Sequence, residues 1–490
     1  MRHRSGPAAG AVPPWLASVQ RELRAELLHT HISWLLLTRD RVYKVKKPMA
    51  TDFLDYSTLE RRRHFCHEEV RLNSRFAPRL YVGVTTLGQL AEPAVVMRRF
   101  VESNRLDHLC DRGELTEAHI GALVRQVVAL HAEADSAPTS SPLGSSGLLA
   151  DQRDQSLGDL AATGVIDPDR IARLESLLRS RFAEVESAVA ARHGSGRVRE
   201  GHGDLHLANI VLYDGAVTMF DGIEFSDELR WLDIANELAF GYADLLAHDR
   251  PGLAAELVSA WMTETGDVSA LALLRYFASY RGTVRAMAAG MVGDAAAAQR
   301  YVDQATRLAT PLPRPQLLIT HGVAGSGKST AARSLAAADP EAATVWLRSD
   351  VERKRMFGLA ADAHSGSALD AGLYTAAATE RTYHRLLEMA EVAIRAGWSV
   401  VADATFLRRS DRQRFGELAA DLGAGFGIVS CTAPAVELRR RVAARTGDAS
   451  EADLAVLERQ LADFVPLSED EKALCVGLPG IGWSEPIRDC

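Results

Sequence analysis

HGDLHLANIVLYDGAVTMFDGIEF, residues 202–225, is the stretch on which the first half of this chain turns. Its opening eight residues are dense in groups that hold protons, metals and phosphates. Three explanations compete for His202, Asp204, His206 and Asn209: a metallohydrolase cluster, a catalytic loop, and a polar turn. A metal cluster needs further ligands, and no partner at metal-ligand spacing is identifiable elsewhere in the sequence. A loop that catalyses phosphoryl transfer predicts its own partners: an Asp beside the acceptor hydroxyl, an Asn five residues later for Mg²⁺, and a second metal-binding Asp beyond one short hairpin. Asp204 and Asn209 have that spacing, Tyr213-Asp214-Gly215 has hairpin-turn chemistry, and Asp221 follows.

Working outward, 490 residues exceed what one hydrophobic core organises, so two or three domains are expected. Hydrophobic residues make up 47% and charged residues 24%, and no apolar run is long enough for a membrane span, which predicts a soluble protein without a membrane partner. The N-terminal segment carries Pro13 and Pro14 where a signal peptide needs an apolar run. Its five cysteines, Cys66, Cys110, Cys431, Cys475 and Cys490, are scattered with no CxxC pair, so a reducing, cytoplasmic location is expected. A net charge of -8 disfavours polyanions and favours small-molecule substrates. Oligomeric state is not legible.

TPLPRP, residues 310–315, reads as a linker because each proline fixes its own backbone and disfavours helix before it. Lys and Arg number 20 against 24 Asp and Glu from residue 316 onward, and 36 against 40 before it, so both parts are mildly acidic. Within residues 1–309 the pattern is a strand-rich lobe, about 28–103, followed by a helical lobe, about 104–309. SAPTSSPLGSSG (136–147), rich in turn formers, reads as a mobile loop. Residues 316–490 alternate apolar strands with helical stretches, which predicts an α/β domain with a parallel sheet.

GVAGSGKS, residues 322–329, follows the apolar run LLIT and precedes an Ala-rich helix, the setting that a phosphate-binding P-loop requires. Gly322, Gly325 and Gly327 let backbone amides close on phosphate oxygens at a helix N-terminus, Lys328 reaches the terminal phosphates, and Ser329, beside Thr330, can ligate Mg²⁺. Downstream, RSDVERKRMFG resembles small P-loop kinases of the gluconate kinase, polynucleotide kinase and zeta-toxin type. The resemblance implies that Asp350 activates the acceptor hydroxyl, with Arg353 one helical turn on; a helix-capping role for Asp350 is the alternative. In WSVVADATF an apolar strand ends in Asp403, a candidate ligand to the metal's water shell or a contact to the acceptor, and Arg441 and Arg445 lie four apart in a stretch that resembles the lid of the same kinases.

HGDLHLAN, FDGIEF and WLDIA together resemble the aminoglycoside phosphotransferase family, also called choline kinase-like, within the protein-kinase-like bilobal α+β fold. The resemblance implies Asp204 as catalytic base, Asn209 and Asp221 as metal ligands, His202 as structural, and Asp233 as the residue that braces the catalytic loop. Upstream, Lys44 and Lys46 stand two apart on one strand face, so that either can contact the nucleotide's α- and β-phosphates, and Glu69, or Glu68 beside it, can position the lysine. VVMRRF (95–100) occupies the place of the hinge strand, and no G-x-G-x-x-G loop precedes it. The full arrangement resembles bacterial bifunctional aminoglycoside phosphotransferase and P-loop ATP-binding proteins. It implies an enzyme with two ATP (or GTP) and Mg²⁺ sites that transfers the γ-phosphate to a hydroxyl of a small polar metabolite. A nucleotide sensor in one half, or a nucleic-acid 5′-hydroxyl acceptor suggested by Arg353-Lys354-Arg355, are the alternatives.

Overall fold

A computed structural model describes residues 12–51, 54–363, 375–444 and 452–477. The chain divides into two compact units: one takes in the chain up to Leu115 with Ala129–Gln155 and Val189–Asp244, the other Thr116–Val128, Ser156–Ala188 and everything from Leu245. No helix among the described residues is long and apolar enough to cross a membrane.

In the first unit β1 (Glu26–His29), β2 (Ser33–Leu37), β3 (Arg41–Lys46), β4 (Tyr81–Leu87) and β5 (Glu92–Arg98) form an antiparallel sheet in the order β1-β2-β3-β5-β4. The two-residue strand period sorts β3 cleanly. Tyr43 and Val45 join Leu16, Val19, Trp34 and Leu36 beneath the helix Pro14–Leu23, while Val42 shares the opposite face with Lys44 and Lys46. That second face is covered by the helix Leu59–Asn73, started by Thr58, whose hydroxyl accepts from Arg61 N. Its buried positions Arg62, Cys66, Glu69 and Asn73 recur at helical spacing, so Glu69 points inward and Glu68 outward to Arg71.

Two two-stranded antiparallel sheets complete the unit: β6 (Val198–Glu200) pairs with β9 (Trp231–Asp233), and β7 (Ile210–Tyr213) forms a hairpin with β8 (Ala216–Met219). The β7–β8 turn places Asp214 at φ 48° and Gly215 at φ 76°, the two positive angles of a type I′ turn. The loop expected to be mobile at 136–147 is instead fastened to β6: Ser136 bridges Arg199, Ala137 N donates to Val198 O at 3.0 Å, and residues from Ser146 onward are helical. Gly144, at φ 69°, lies so close that a Cβ there would stand 2.6 Å from Val198 Cγ1.

The second unit holds a parallel sheet, ordered β11-β12-β10-β13, from β10 (Gln316–His321), β11 (Thr344–Arg348), β12 (Ser399–Asp403) and β13 (Gly425–Ser430). Leu317, Ile319, Val345, Leu347, Val400 and Ile428 are buried in it, the apolar-run signature of strands covered on both faces. The fold is thus an α+β kinase-like bilobal region followed by an α/β P-loop region.

The second compact unit runs through the proline segment 310–315, and the last division between the units falls between Asp244 and Leu245. Residues 245–309 belong with the parallel sheet because they are bonded to it. The Trp398 indole donates to Leu271 O at 2.9 Å, Arg333 pairs with Glu256 at 3.0 Å, and Arg307 pairs with Glu341 at 2.8 Å. The helix Pro251–Thr265 packs on β11.

Candidate active sites

In the first unit, residues 202–209 form the loop between β6 and β7. Asp204 is partly exposed; its backbone carbonyl accepts from Asn209 Nδ2 at 2.9 Å and its carboxylate from the same nitrogen at 3.1 Å. Asn209 in turn accepts Phe220 N on its backbone carbonyl at 2.9 Å, which carries the loop to Asp221. His206 Nε2 lies 3.4 Å from Asp204 Oδ2. His202 is buried, which lowers its pKa, and its Nε2 meets Phe220 O at 2.8 Å.

Asp221 sits at φ 62°, a left-handed backbone that non-glycine residues adopt at a cost of about 1 kcal/mol or more. The anchors that hold it there come from β4, the helix Leu59–Asn73 and the loop 202–209. Asp221 N donates to Tyr81 OH at 3.1 Å, Gly222 N to Asn73 Oδ1 at 2.8 Å, and Ile223 N to His202 O at 2.9 Å.

Both lysines of β3 meet Glu69, one on each oxygen: Lys44 Nζ at 2.9 Å from Oε1 and Lys46 Nζ at 2.6 Å from Oε2. Their second partners differ. Lys44 also pairs with Asp221, whereas Lys46 pairs with Glu224 and is enclosed, at 0% exposure, with Tyr56. Burial opposes the ammonium form of Lys44, yet Asp221, Glu69 and Glu224 outweigh it and hold the pKa well above its usual value; Lys46 is raised in the same way by Glu224 and Glu69.

The loop 202–209 is braced by a residue that the sequence does not advertise. Glu237 accepts from His202 N at 2.9 Å, from Gly203 N at 2.7 Å and from His131 Nε2 at 2.9 Å. Burial alone would raise its pKa, but those bonds hold the carboxyl at about 2. Asp233, expected in this role, instead takes Arg192 in a two-point pair at 2.8 and 2.9 Å and accepts Ala235 N, fastening the helix Pro168–Gly194 to the start of the helix Ile234–Ala247.

In the second unit the glycine loop leaves β10 and enters the helix Lys328–Ala337. Gly322, Gly325 and Gly327 have φ of 148°, 79° and 96°. Lys328 Nζ bonds Val323 O at 2.7 Å. Asp403 closes β12, beside β10, and receives the Ser329 hydroxyl as well as the Trp346 indole at 3.1 Å. Burial raises the Asp403 pKa against the pull of Lys328 and Ser329.

Asp350 lies in the first turn of the helix Ser349–Met356, whose N-cap is Arg348, and Arg353 Nη1 stands 3.6 Å from its carboxylate. Asp350 is also near enough to Asp403 to raise it electrostatically. Thr330 is exposed. Arg441 bonds Gly325 O at 3.3 Å from the helix Ala435–Ala443. Arg445 lies outside the described residues. Missed from sequence was Gln460, whose Oε1 accepts Ala324 N at 2.7 Å, while Val323 and Ala324 pack on Leu438, Val442 and Leu457.

Oxygen donors line both places, as Mg²⁺ requires. Among the described residues no group of three or more His, Cys, Asp or Glu side chains is gathered for a metal.

Residues 317–467 match the family described as AAA domain. Among solved structures, a choline/ethanolamine kinase family protein from Mesorhizobium loti is 15% identical over 60% of this chain and 90% of its own, with a TM-score of 0.40. A sugar kinase from Janibacter sp. is 22% identical over 32% of this chain and 82% of its own, with a TM-score of 0.25. The uncharacterized protein Rv2004c of Mycobacterium tuberculosis is 31% identical over 439 residues, 87% of each chain, and Mb2027c of Mycobacterium bovis matches to the same extent. Identity at that level across nearly the whole length of both chains means that this protein belongs to the family of these mycobacterial proteins.

Proposed function

We propose that the chain is an ATP-dependent phosphotransferase with two nucleotide sites, each passing a γ-phosphate to a hydroxyl of a small polar metabolite. The observation that carries this reading is the joining of Asp204 and the Asp221 loop through one residue, Asn209, with Lys44 on Asp221. In the first unit Lys44 contacts the nucleotide phosphates, and Asn209 and Asp221 hold Mg²⁺, which neutralises phosphate charge when bound. Asp204 takes the acceptor's proton as the new O–P bond forms and the bond to the departing ADP breaks.

In the second unit the loop 322–329 cradles phosphates, Lys328 reaches the terminal ones, and Ser329 and Asp403 serve the metal. Asp350, oriented by Arg353, receives the acceptor proton, and Arg441 closes over the loop. The AAA domain match over 317–467 supports nucleotide binding there. Cytoplasmic location and a small-molecule partner go with this reading.

The test is a mass-spectrometric screen of polyhydroxy and amino-alcohol metabolites with ATP or GTP, run on wild-type, Asp204→Asn and Lys328→Ala proteins. One product should disappear with each substitution. Products formed at wild-type level by both variants would sink the reading, and loss of every product in Asp204→Asn alone would make the P-loop unit a sensor.

A further inference from the structure

A second lysine buried beside the first is costly to keep charged, and the network around Lys46 gives it a use. Lys46, at 0% exposure, is bonded to Glu69 Oε2 at 2.6 Å and to Glu224, and lies 3.4 Å from Tyr56 OH, which itself donates to Glu224. Glu69 and Glu224 are also buried. The ring of Tyr56 lies under the same ammonium at 4.9 Å. Glu224 is three residues beyond Asp221, on the segment whose backbone is pinned by Tyr81, Asn73 and His202. Three buried or half-buried carboxylates, Glu69, Glu224 and Asp221, thus face two ammonium groups, with Tyr56 neutral because burial and then Glu224 raise its pKa.

We propose that Lys46 is a positioning residue that never touches the nucleotide. It neutralises Glu69 and Glu224 permanently and so leaves Lys44 able to exchange Asp221 for phosphate. Rigid geometry supports the division of labour: both lysines share one face of β3, but only Lys44 adjoins the residue assigned to the metal. Removing Lys46 leaves Glu69 and Glu224 with one ammonium between them. An uncompensated buried charge recaptures the nearest partner, which draws Lys44 inward and away from the phosphates. The inference rests on the kinase reading of the first unit.

The experiment measures equilibrium binding of Mg·ATP to the full chain carrying Lys328→Ala, which silences the second site. Lys46→Met should weaken binding by roughly a hundredfold, as loss of one partner of a buried pair does. The charge-balanced double variant Lys46→Met/Glu224→Gln should recover to within about threefold of the parent, which loss of packing would not allow. Unchanged binding in Lys46→Met overturns the proposal, and so does a double variant that binds as weakly as the single one or fails to fold. Lys44→Met separates the two readings. If it too binds normally, the kinase assignment of this unit fails; if it alone abolishes binding, only the role given to Lys46 is lost.

Discussion

Asn209 holds Asp204 at two points with one amide nitrogen, 2.9 Å from the backbone carbonyl and 3.1 Å from the carboxylate. The proposed base is therefore oriented by the same residue that is proposed to meet the metal, so proton acceptance and metal position are set together.

Asn209→Ala should accordingly lower kcat of the first site about a hundredfold, the usual loss when one preorganised polar contact is removed, and raise the Mg²⁺ concentration needed for half-maximal rate. The check is a Mg²⁺ titration of product formation. A drop in kcat with an unmoved Mg²⁺ midpoint would confine Asn209 to orienting Asp204.

Glu237 links stability to acid. Its folded pKa of about 2 lies below the ordinary glutamate value, so the unfolded chain binds the proton more readily. Its contribution is complete above about pH 4.3 and fades as pH falls toward 2, to a total on the order of 3 kcal/mol. Glu237→Gln should flatten that part of the curve of melting temperature against pH, and a slope matching wild type between pH 4.5 and 2.5 would contradict the assignment.

His321 acts in a higher window. It is buried beside Phe464, and burial, with Arg412 and Lys328 nearby and Glu471 opposing them, lowers its pKa to about 4. The unfolded imidazole takes its proton near pH 6.5, so stability is fully present above that value and declines as pH falls toward 4, by on the order of 3 kcal/mol. His321→Phe should remove this decline, as read by calorimetry between pH 7 and 4, and leave the lower window of Glu237 intact.

The glycine loop offers a graded comparison. A Cβ at Gly322 would stand 2.3 Å from Cys431 O, a backbone atom, whereas one at Gly327 meets nothing within 4 Å. Both need positive φ, so Gly327→Ala should cost about 1–2 kcal/mol and Gly322→Ala on the order of 3 kcal/mol or more. Gly322→Ala should also abolish nucleotide retention by a chain carrying Lys44→Met, which removes the phosphate contact proposed for the first site. Equal melting temperatures for the two variants would count against the clash.

What could be read from the sequence was what is local in it. The Asp204–Asn209 spacing, the Tyr213-Asp214-Gly215 turn and the run 322–329 are each fixed within a few residues: Asn209 bonds Asp204, the turn has its two positive φ angles, and the glycine run leads into the helix that starts at Lys328. Glu237, Tyr56, Tyr81 and Gln460 were invisible because their bonds span 34 to 168 residues, and a side chain's polarity says nothing about which distant amide or carboxylate it will meet. One signal was available. Asn73 follows Glu69 by four, which puts both on one helix face, so an inward Glu69 implies an inward Asn73. The helices of 245–309 misled for a related reason: amphipathic periodicity tells that a face is covered and leaves open by what.

The indole of Trp398 and its acceptor, Leu271, lie on opposite sides of the prolines in the chain but in one compact unit. Residues 245–309 therefore supply packing partners to the parallel sheet that follows the prolines. A cut at the prolines would deliver a sheet stripped of Glu256, Leu271 and the helix Pro251–Thr265. It would leave the Trp398 indole and the Arg333 guanidinium without the partners they have here, which makes a fragment beginning at 316 less stable than one beginning at 245.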